Sequence, residues 1–556
     1  MTEIFQKYFS PGNLMLAWER IIRSSKKDKD YFGIKIYSTN LEKNISRLSN
    51  IIINGQFKPH RPFKYYEPKA SKTHRTKSIL SVDDALIYQA IANVVASTNY
   101  KILSQNDSFV FGSVLHSEVE KGIELLNSPD AEFHFFKYYL PLYNKFIDSI
   151  NLEIGNTNVR YKLETDITGF FDSIPHSKLL LILHQFGVEQ VILDLLQNCL
   201  NIYSGTRDSV TPGVGIPQGP AASFFFANLF LYELDYQISQ KGYTYYRYMD
   251  DIRIYDESEE KIIEALVYID KYLKGKALSL NIKKTSIEEI GNDRDAEKLS
   301  LLAGYNDIDF DENSNRSKLL YLAEQDSVLD IQIGKDYYPV ITGEELIEFC
   351  KKEIADVESI LKSKFQESDT SSFDKKAITN DEDFKKEIIH IAYRWRNANS
   401  ILMTVDKPVL NPKLIPVWIA CIEIFFWKAN HFCWNLNQYE NNQLIKDKLL
   451  ELIPKFMNFE WVRYQILSNM AFTQKFNSSE LKDFFRKAKE ETSPFVRLGY
   501  YTILLKHLNS KHQLFSSLRQ AIKDDKEPYI RTQLFSILSS FDVEKKIDEF
   551  KIWFSL

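Results

Sequence analysis

The feature that most constrains this chain is a short hairpin pattern with two adjacent aspartates at its centre. Residues 245–255 read YYRYMDDIRIY, so aromatic and β-branched side chains flank Asp250 and Asp251. Such side chains favour strands, and the pattern predicts strand, tight turn and strand with both carboxylates at the turn. A purely structural turn would favour Asn-Gly or Asp-Gly. A divalent cation such as Mg²⁺ is the natural partner of two neighbouring carboxylates, and a solvated hairpin tip is the alternative.

The composition is that of a globular protein without membrane spans. At 556 residues the chain is long enough for two or three domains with large cores. Its longest apolar run, residues 417–427, contains Glu423 and is too short to cross a bilayer, and the N-terminus lacks a secretory signal pattern. The four cysteines show no Cys-x-x-Cys spacing, so neither a zinc site nor a disulfide framework is expected. We therefore expect a protein of a reducing cytoplasm with no membrane partner.

Charge is distributed unevenly along the chain. The formal net charge is −5, which argues against a broad nucleic-acid-binding surface. Residues 58–77, by contrast, contain seven basic residues and one acid, interleaved with aromatic side chains. Cations mixed with aromatic rings are typical of segments that contact both phosphates and bases. We predict a narrow basic channel here, with a solvated basic face as the alternative.

The middle of the chain alternates between strand and helix patterns. A strand pattern over residues 161–166 ends at Asp166, and a turn follows at Gly169. The glycine- and proline-punctuated residues 213–220 predict a loop that leads directly into an apolar helix. A helix-turn-helix pattern covers residues 177–200, helix patterns cover 221–234 and 259–273, and an alternating pattern covers 278–285. This order predicts an α+β layout with helices packed on an antiparallel sheet.

Three aspartates stand at the ends of predicted strands. Asp166 ends one strand, and Asp250 and Asp251 occupy a hairpin turn, so adjacent strands would bring all three to one edge of a sheet. Three carboxylates there can hold two Mg²⁺ ions. One ion can activate a 3′-hydroxyl while the other neutralises a departing pyrophosphate in an in-line displacement.

Four sequence motifs resemble those of the reverse transcriptase family, in the family's order and at plausible spacing. They are Asp166 with Phe170-Phe171, Gly215-Ile216-Pro217-Gln218-Gly219 with Ser223 and Asn228, Tyr248-Met249-Asp250-Asp251, and Leu280-Asn281 with Lys284-Thr285. Each motif is short, but the combination is specific, and the resemblance covers residues 60–290. It implies a right-hand polymerase core, with fingers and an antiparallel palm sheet, that polymerises deoxynucleotides (dNTPs) into DNA.

The resemblance also implies roles for individual residues. Asp166, Asp250 and Asp251 match the metal-binding catalytic acids, with two Mg²⁺ ions as cofactors and Mn²⁺ as an alternative. Phe171 matches the bulky residue that crowds a ribose 2′-hydroxyl, with a core phenylalanine as the alternative. The other implied nucleotide-binding residues are Gln218 and Gly219 in a loop beside the nucleotide and template, Lys69, Lys72 and Arg75 at the triphosphate, and Lys284 near the pyrophosphate, where a surface lysine is the alternative.

The C-terminal third shows an internal repeat. An aromatic, an aliphatic residue and Arg recur with a period of 34 residues at Trp461-Val462-Arg463, Phe495-Val496-Arg497 and Tyr529-Ile530-Arg531. A period in this range predicts stacked helical hairpins, that is, a HEAT-like all-α solenoid, with coincidence as the alternative. We expect fingers and palm over residues 1–300, a helical connector in place of or including a thumb over 301–380, and the repeat domain over 381–556.

A polymerase core followed by helical repeats resembles the bacterial abortive-infection reverse transcriptases, the AbiK-like group of antiphage defence enzymes. That resemblance implies a bacterial cytoplasmic homo-oligomer that makes single-stranded DNA without a template, in some members with priming on a protein tyrosine. Two alternatives stay open at this point. One is RNA-templated cDNA synthesis on a cognate non-coding RNA, and the other is an RNA-binding scaffold with a polymerase fold.

Overall fold

The chain forms two compact units, and one short segment from the N-terminal part of the chain belongs to the second unit. The computed structural model describes residues 2–24, 33–129, 131–291, 331–333, 336–338, 343–364, 375–508 and 512–539. The first unit comprises Met1–Lys64 and Thr76–Leu302, and the second comprises Tyr65–Arg75 and Ala303–Leu556. The expected domains over residues 1–300, 301–380 and 381–556 stay a prediction, and residues 301–330 and 365–374 lie outside the described residues.

Helices form most of the first unit. They are α1 Thr2–Phe9, α2 Pro11–Ser24, α3 Ile34–Ser38, α4 Leu41–Ile53, α5 Val82–Thr98, α6 Tyr100–Leu103, α7 Tyr139–Gly155, α8 Phe170–Ser173, α9 His176–Gln185, α10 Gln190–Tyr203, α11 Ala221–Gln240 and α12 Glu259–Gly275. The strands of this region are β1 Phe63–Pro68, β2 His74–Ile79, β3 Tyr161–Asp166, β4 Thr244–Tyr248, β5 Asp251–Asp256 and β6 Ser286–Glu289. The strand that ends at Asp166, the hairpin at residues 245–255 and the helices over 177–200, 221–234 and 259–273 are confirmed.

A four-stranded antiparallel sheet organises the first unit, in the order β4-β5-β3-β6. Side chains alternate between its two faces, as the pleat of a strand requires. One face carries fully buried apolar residues such as Leu163, Ile252 and Ile254, which join a core with α11 and α12. Glu164 and Asp166 stand at the intervening positions, so the opposite face of the sheet is polar.

The structure differs from the sequence prediction just after α12. The alternating pattern at residues 278–285 is a bridge from Leu280 to Ile167 followed by a 3₁₀ turn, Ile282–Lys284, and only then the short strand β6. Asn281 donates its backbone N–H to the Asp166 carbonyl at 2.8 Å, which draws this segment against the end of β3. A tertiary contact therefore overrides the strand periodicity at this point.

The second unit is helical in most of its described residues, with a small hairpin of β7 Ile331–Ile333 and β8 Asp336–Tyr338. Its helices are α13 Gly343–Lys364, α14 Lys376–Thr379, α15 Glu382–Val405, α16 Ile415–Ile424, α17 Ala429–Asn437, α18 Gln443–Leu452, α19 Glu460–Thr473, α20 Ser478–Glu490, α21 Pro494–His507, α22 Phe515–Lys523 and α23 Pro528–Ser539. None of the helices in the described ranges is long and apolar enough for a membrane span.

The 34-residue sequence repeat coincides with recurring contacts in the second unit. Helices α19, α21 and α23 all begin next to the repeated aromatic-aliphatic-Arg motif, and α21 packs against both of the others. Arg463 pairs with Glu491 at 2.6 Å, and Arg497 pairs with Asp525 at 2.9 Å. Both arginines therefore pair with an acid 28 residues further along the chain. The HEAT-like classification itself stays a prediction.

Close packing of α19 on α21 depends on a glycine. A Cβ atom at Gly499 would lie 2.8 Å from the Leu467 Cβ, well inside contact distance. We predict that Gly499→Ala lowers the free energy of unfolding by about 1–2 kcal/mol, because overpacking outweighs the gain in helix propensity. Denaturant unfolding measures the change. Gly275→Ala is the control, since its Cβ would meet no atom within 4 Å, and it should be neutral or stabilising.

Candidate active site

The strand register brings the three predicted acids together. Asp166, the last residue of β3, lies directly opposite Asp251, the first residue of β5. Asp250 occupies the turn between β4 and β5. The ends of these strands thus bring Asp166 together with the adjacent pair Asp250 and Asp251, which begins 84 residues further along the chain (166 to 250).

Two cations contact two of these acids, Asp166 and Asp251, in the structure. The Lys284 Nζ donates to Asp166 Oδ2 at 2.5 Å, and the Arg253 Nη2 donates to Asp251 Oδ2 at 3.2 Å. Burial raises the pKa of Asp251 to about 6, an effect that Arg253 opposes and the neighbouring carboxylates reinforce. The largest cause is burial, because removing a carboxylate from water disfavours its charged form.

One oxygen of this group has no protein partner. Asp166 Oδ1 is buried and accepts no hydrogen bond from any described residue. Within the described ranges, however, no group of three or more His, Cys, Asp or Glu side chains is arranged as a metal-binding cluster. The residues present nevertheless fit Mg²⁺ by their chemistry, because the ion takes hard carboxylate oxygens and Asp166 offers an unused one. Metal binding by Asp166, Asp250 and Asp251 stays a prediction.

Arg253 and Glu164 are site residues that the sequence analysis missed. They face each other across β3 and β5, and their side chains form an ion pair. Arg253 thereby links Glu164 to Asp251 on the polar face of the sheet. Strand periodicity could have found both, since each stands two residues from a predicted acid and so shares its face.

A buried ion pair supports the turn that carries Asp250. The Arg247 guanidinium on β4 donates to both oxygens of Asp235 on α11, at 2.7 and 2.6 Å, and both side chains are almost inaccessible to solvent. Burial by itself lowers the pKa of Arg247, but Asp235 more than offsets this, so the net pKa is raised. Arg247 Nη1 also donates to the carbonyl of Met249 at 2.6 Å. This bond holds Met249, whose φ is 55°, immediately before Asp250.

An irregular segment packs on the other side of the same turn. Val110 forms a parallel bridge to Arg247, with Phe111 N–H donating to the Arg247 carbonyl at 2.9 Å. A Cβ atom at Gly112 would lie 2.6 Å from the Met249 backbone nitrogen. Asn228 donates to the Gly112 carbonyl at 2.6 Å and accepts from Arg247 Nη1 at 3.0 Å. Gly112 is therefore a further residue that the sequence analysis missed, because only this contact reveals its role.

The predicted nucleotide loop closes on the segment after Asp166. Ile216 donates its N–H to the Phe171 carbonyl at 2.8 Å, and Gln218 accepts at its own carbonyl from Ser78 N–H at 2.9 Å. Gly219 has φ 144°, and a Cβ there would lie 2.7 Å from the Ser78 carbonyl oxygen. The Phe171 ring is 8% exposed and packs edge-on against Phe224. The loop thus contacts Phe171 through Ile216 and contacts Ser78 through Gln218 and Gly219, while the nucleotide-binding roles of Gln218, Gly219 and Phe171 stay predictions.

The basic residues of the predicted channel differ in their burial and in the compact unit to which they belong. Lys64 is buried, donates to the Gly205 carbonyl at 2.6 Å, and has its pKa lowered by burial to about 8. Lys69, Lys72 and Arg75 are exposed on the β1–β2 hairpin tip, which belongs to the second compact unit. Their proposed contact with a triphosphate stays a prediction.

We predict that Arg247→Met lowers the free energy of unfolding by about 3–5 kcal/mol, because it leaves the Asp235 carboxylate buried without a cation. The double variant Arg247→Met/Asp235→Asn removes that charge and should recover part of the loss. In both variants the Met249 carbonyl lacks its donor, so hydrogen exchange at the Phe111 and Arg247 amides should accelerate. Full recovery of stability together with wild-type exchange in the double variant would show that the pair does not hold the turn.

Comparison with known proteins agrees with this geometry. Residues 67–322 match the family described as reverse transcriptase (RNA-dependent DNA polymerase). The retron Ec86 reverse transcriptase of Escherichia coli is 26% identical over 149 residues, which are 26% of this chain and 43% of the retron enzyme. An uncharacterized 91 kDa protein in a cob intron of Schizosaccharomyces pombe is 38% identical over 74 residues, 13% of this chain and 9% of that protein.

A comparison of structures matches the chain to telomerase from Candida albicans in complex with a fragment of telomeric RNA. That match covers 89% of this chain and 65% of the telomerase chain, with 11% identity and a TM-score of 0.29. The chain spans less than half the length of the retron enzyme. The matched residues 67–322 include Asp166, Asp250, Asp251 and the supporting strands. The chain therefore carries a reverse transcriptase domain.

Proposed function

We propose that this protein is a nucleotidyltransferase that extends a DNA strand with deoxynucleotides. The observation that carries the proposal is the pairing of Asp166 with Asp251 at the ends of adjacent strands, with Asp250 in the neighbouring turn. Asp166, Asp250 and Asp251 are the residues that would hold two divalent ions. When bound, Mg²⁺ supplies activation of the attacking 3′-hydroxyl and charge neutralisation at the departing pyrophosphate.

The protein's own residues would contribute orientation and proton transfer. The ion pair between Arg247 and Asp235 fixes the turn that presents Asp250, so the carboxylates need little rearrangement during the reaction. The Lys284 ammonium lies 2.5 Å from Asp166 and offsets its charge. A divalent ion bound to Asp166 would compete with that ammonium, which leaves Lys284 as a proton donor for the pyrophosphate.

The broader role that we propose is antiphage defence by DNA synthesis without a template. Two features support it: the net charge of −5, which does not suit a protein that clamps a long duplex, and a helical unit that follows the polymerase motifs. Protein priming and homo-oligomerisation belong to the same proposal. The similarity to a retron enzyme favours a second candidate, in which the protein copies a cognate RNA.

An extension assay separates these candidates. Nucleic-acid-free protein is incubated with Mg²⁺ and labelled dNTPs without template or primer, and the products are run on a denaturing gel before and after protease digestion. Labelled DNA that shifts after protease treatment would support untemplated, protein-primed synthesis. Product that forms only when an RNA is supplied would instead support the templated candidate.

We predict that the double variant Asp250→Ala/Asp251→Ala loses at least about 10³-fold in nucleotide incorporation, because the site can no longer hold its ions. Thermal unfolding should show that the variant remains folded. Glu260→Ala, which removes an exposed acid in the first turn of α12, is the control and should retain incorporation. Phage protection that survives in the double variant would favour a scaffold over an enzyme.

Phe171 gives a prediction on sugar selectivity. If its ring crowds a ribose 2′-hydroxyl, Phe171→Ala should raise the use of ribonucleotides relative to deoxynucleotides by at least about tenfold in kcat/KM. Phe170→Leu is the control, because Phe170 is a neighbouring buried ring without a proposed contact to the sugar. If Phe171→Ala and the wild-type protein select deoxynucleotides over ribonucleotides equally well, Phe171 serves only to pack the core.

A further inference from the structure

Four charged side chains form two pairs of cross-strand neighbours on the polar face of the sheet. Glu164 on β3 lies directly opposite Arg253 on β5, and Asp166 lies opposite Asp251 two residues further along β3. Alternate residues of a strand share a face, so all four side chains stand on the same side of the sheet. Opposite and diagonal neighbours on two paired strands are close enough to interact. Arg253 can therefore reach an acid across the strands and an acid of its own strand.

Arg253 shares its charge between these two acids. Its Nη1 pairs with Glu164 Oε2, and its Nη2 donates to Asp251 Oδ2 at 3.2 Å. A charge-assisted hydrogen bond is usually about 2.7–2.9 Å long, so the contact with Asp251 is a loose one. The Arg253 side chain is only 11% exposed, which limits the screening of these interactions by solvent. Glu164 therefore holds the guanidinium more firmly than Asp251 does.

The second oxygen of Glu164 is not used by the pair with Arg253. This Oε1 atom is buried and accepts no hydrogen bond from any residue in the described ranges. Lys162 Nζ lies 3.8 Å from it but 3.0 Å from Glu288 on β6, so Lys162 pairs chiefly with Glu288. Asp166 Oδ1, at the next position of β3 on the same face, is the other such oxygen. Two successive carboxylates of this face thus each keep one buried oxygen that no described donor serves, an arrangement that favours a cation nearby.

A divalent ion held by Asp166 and Asp251 would lie in the field of both neighbouring charges. The Arg253 guanidinium would repel the ion, and the Glu164 carboxylate would attract it. Because these two charges are adjacent and of opposite sign, their effects on the ion largely cancel in the wild-type protein. Without the ion, Arg253 offsets part of the repulsion between Asp251 and the acids around it.

We propose that Arg253 and Glu164 are positioning residues that set the affinity of the aspartates for a divalent cation. Arg253 stabilises the metal-free arrangement through its contact with Asp251. Glu164 competes with Asp251 for the guanidinium and so leaves Asp251 available to the ion. The proposal rests on the nucleotidyltransferase function proposed above, since that function assigns the ions to Asp166, Asp250 and Asp251.

The test measures Mn²⁺ binding to the full chain without nucleotide or nucleic acid, by electron paramagnetic resonance of the free ion. Binding that is lost in Asp166→Asn is assigned to the site. Arg253→Gln and Glu164→Gln each remove one charge, and the double variant removes both. Circular dichroism and thermal unfolding without metal show which variants are folded.

Arg160 and Glu289 provide matched controls on the same sheet. They form an exposed ion pair, with 62% and 60% of their side chains accessible. Glu289 lies opposite Tyr161, at the end of β3 remote from Asp166. The five residues from Tyr161 to Asp166 (161 to 166) span about 16 Å, which exceeds the Debye length of about 8 Å at physiological salt. Arg160→Gln and Glu289→Gln therefore make the same charge changes with little effect on the aspartates.

We expect Arg253→Gln to lower the Kd for Mn²⁺ about tenfold and Glu164→Gln to raise it about tenfold, because each leaves a charge of one sign uncompensated beside the ion. The double variant should return to within about threefold of wild type, since the two charges are removed together. The two control variants should stay within about twofold of wild type. Shifts in opposite directions identify an electrostatic role, because a loosened sheet would weaken binding in both single variants.

Weaker Mn²⁺ binding in both single variants, or unchanged binding in both, overturns the proposal and leaves the proposed function standing. If Arg253→Gln does not fold, Glu164→Gln decides by itself, and unchanged or tighter binding in that variant overturns the proposal. A wild-type protein without Mn²⁺ binding that depends on Asp166 would instead contradict the proposed function, and this inference with it.

Discussion

The buried ion pair between Arg247 and Asp235 is the interaction on which the rest of the site depends. It joins β4, the first strand of the hairpin that carries Asp250 and Asp251, to helix α11, and the Arg247 Nη1 also donates to the Met249 carbonyl and to Asn228. Removing one partner of a buried ion pair destabilises the protein, because the remaining charge is neither paired nor hydrated. The turn before Asp250 is thus fixed from within the core, which leaves the carboxylates on its outer side available for function.

The two faces of the sheet differ: one packs apolar side chains into the core, and the other carries the charged residues. Leu163, Ile252 and Ile254 point into the core, so the register of β3 on β5 is specified by apolar burial. A shift of one residue would bury Asp251 against α12 and expose this apolar row. The same register therefore places Asp166 opposite Asp251. On the polar face, Arg253 pairs with both Glu164 and Asp251 and so limits the repulsion between these acids.

The division into two units changes the interpretation of the basic stretch at residues 58–77. By sequence it is one run of cations, yet the structure separates a buried lysine, Lys64, from an exposed tip that belongs with the repeat helices. The ring of Phe495 sits between Tyr65 and Tyr464, and it stands at a position of the 34-residue repeat. The first turn of α21 thus contacts a segment from the N-terminal part of the same chain.

The sequence by itself determined the hairpin with Asp250 and Asp251, the strand that ends at Asp166, the helices around them and the period of the C-terminal helices. These features depend on local periodicity and turn chemistry, which neighbouring residues encode. Tertiary structure decided the rest. The contact of Gly112 with Met249, the pairing of Arg247 with Asp235 and the stacking of Tyr65 on Phe495 join residues 12 to 430 positions apart. No local pattern encodes such distant contacts, because they arise only when packed elements bring the residues together.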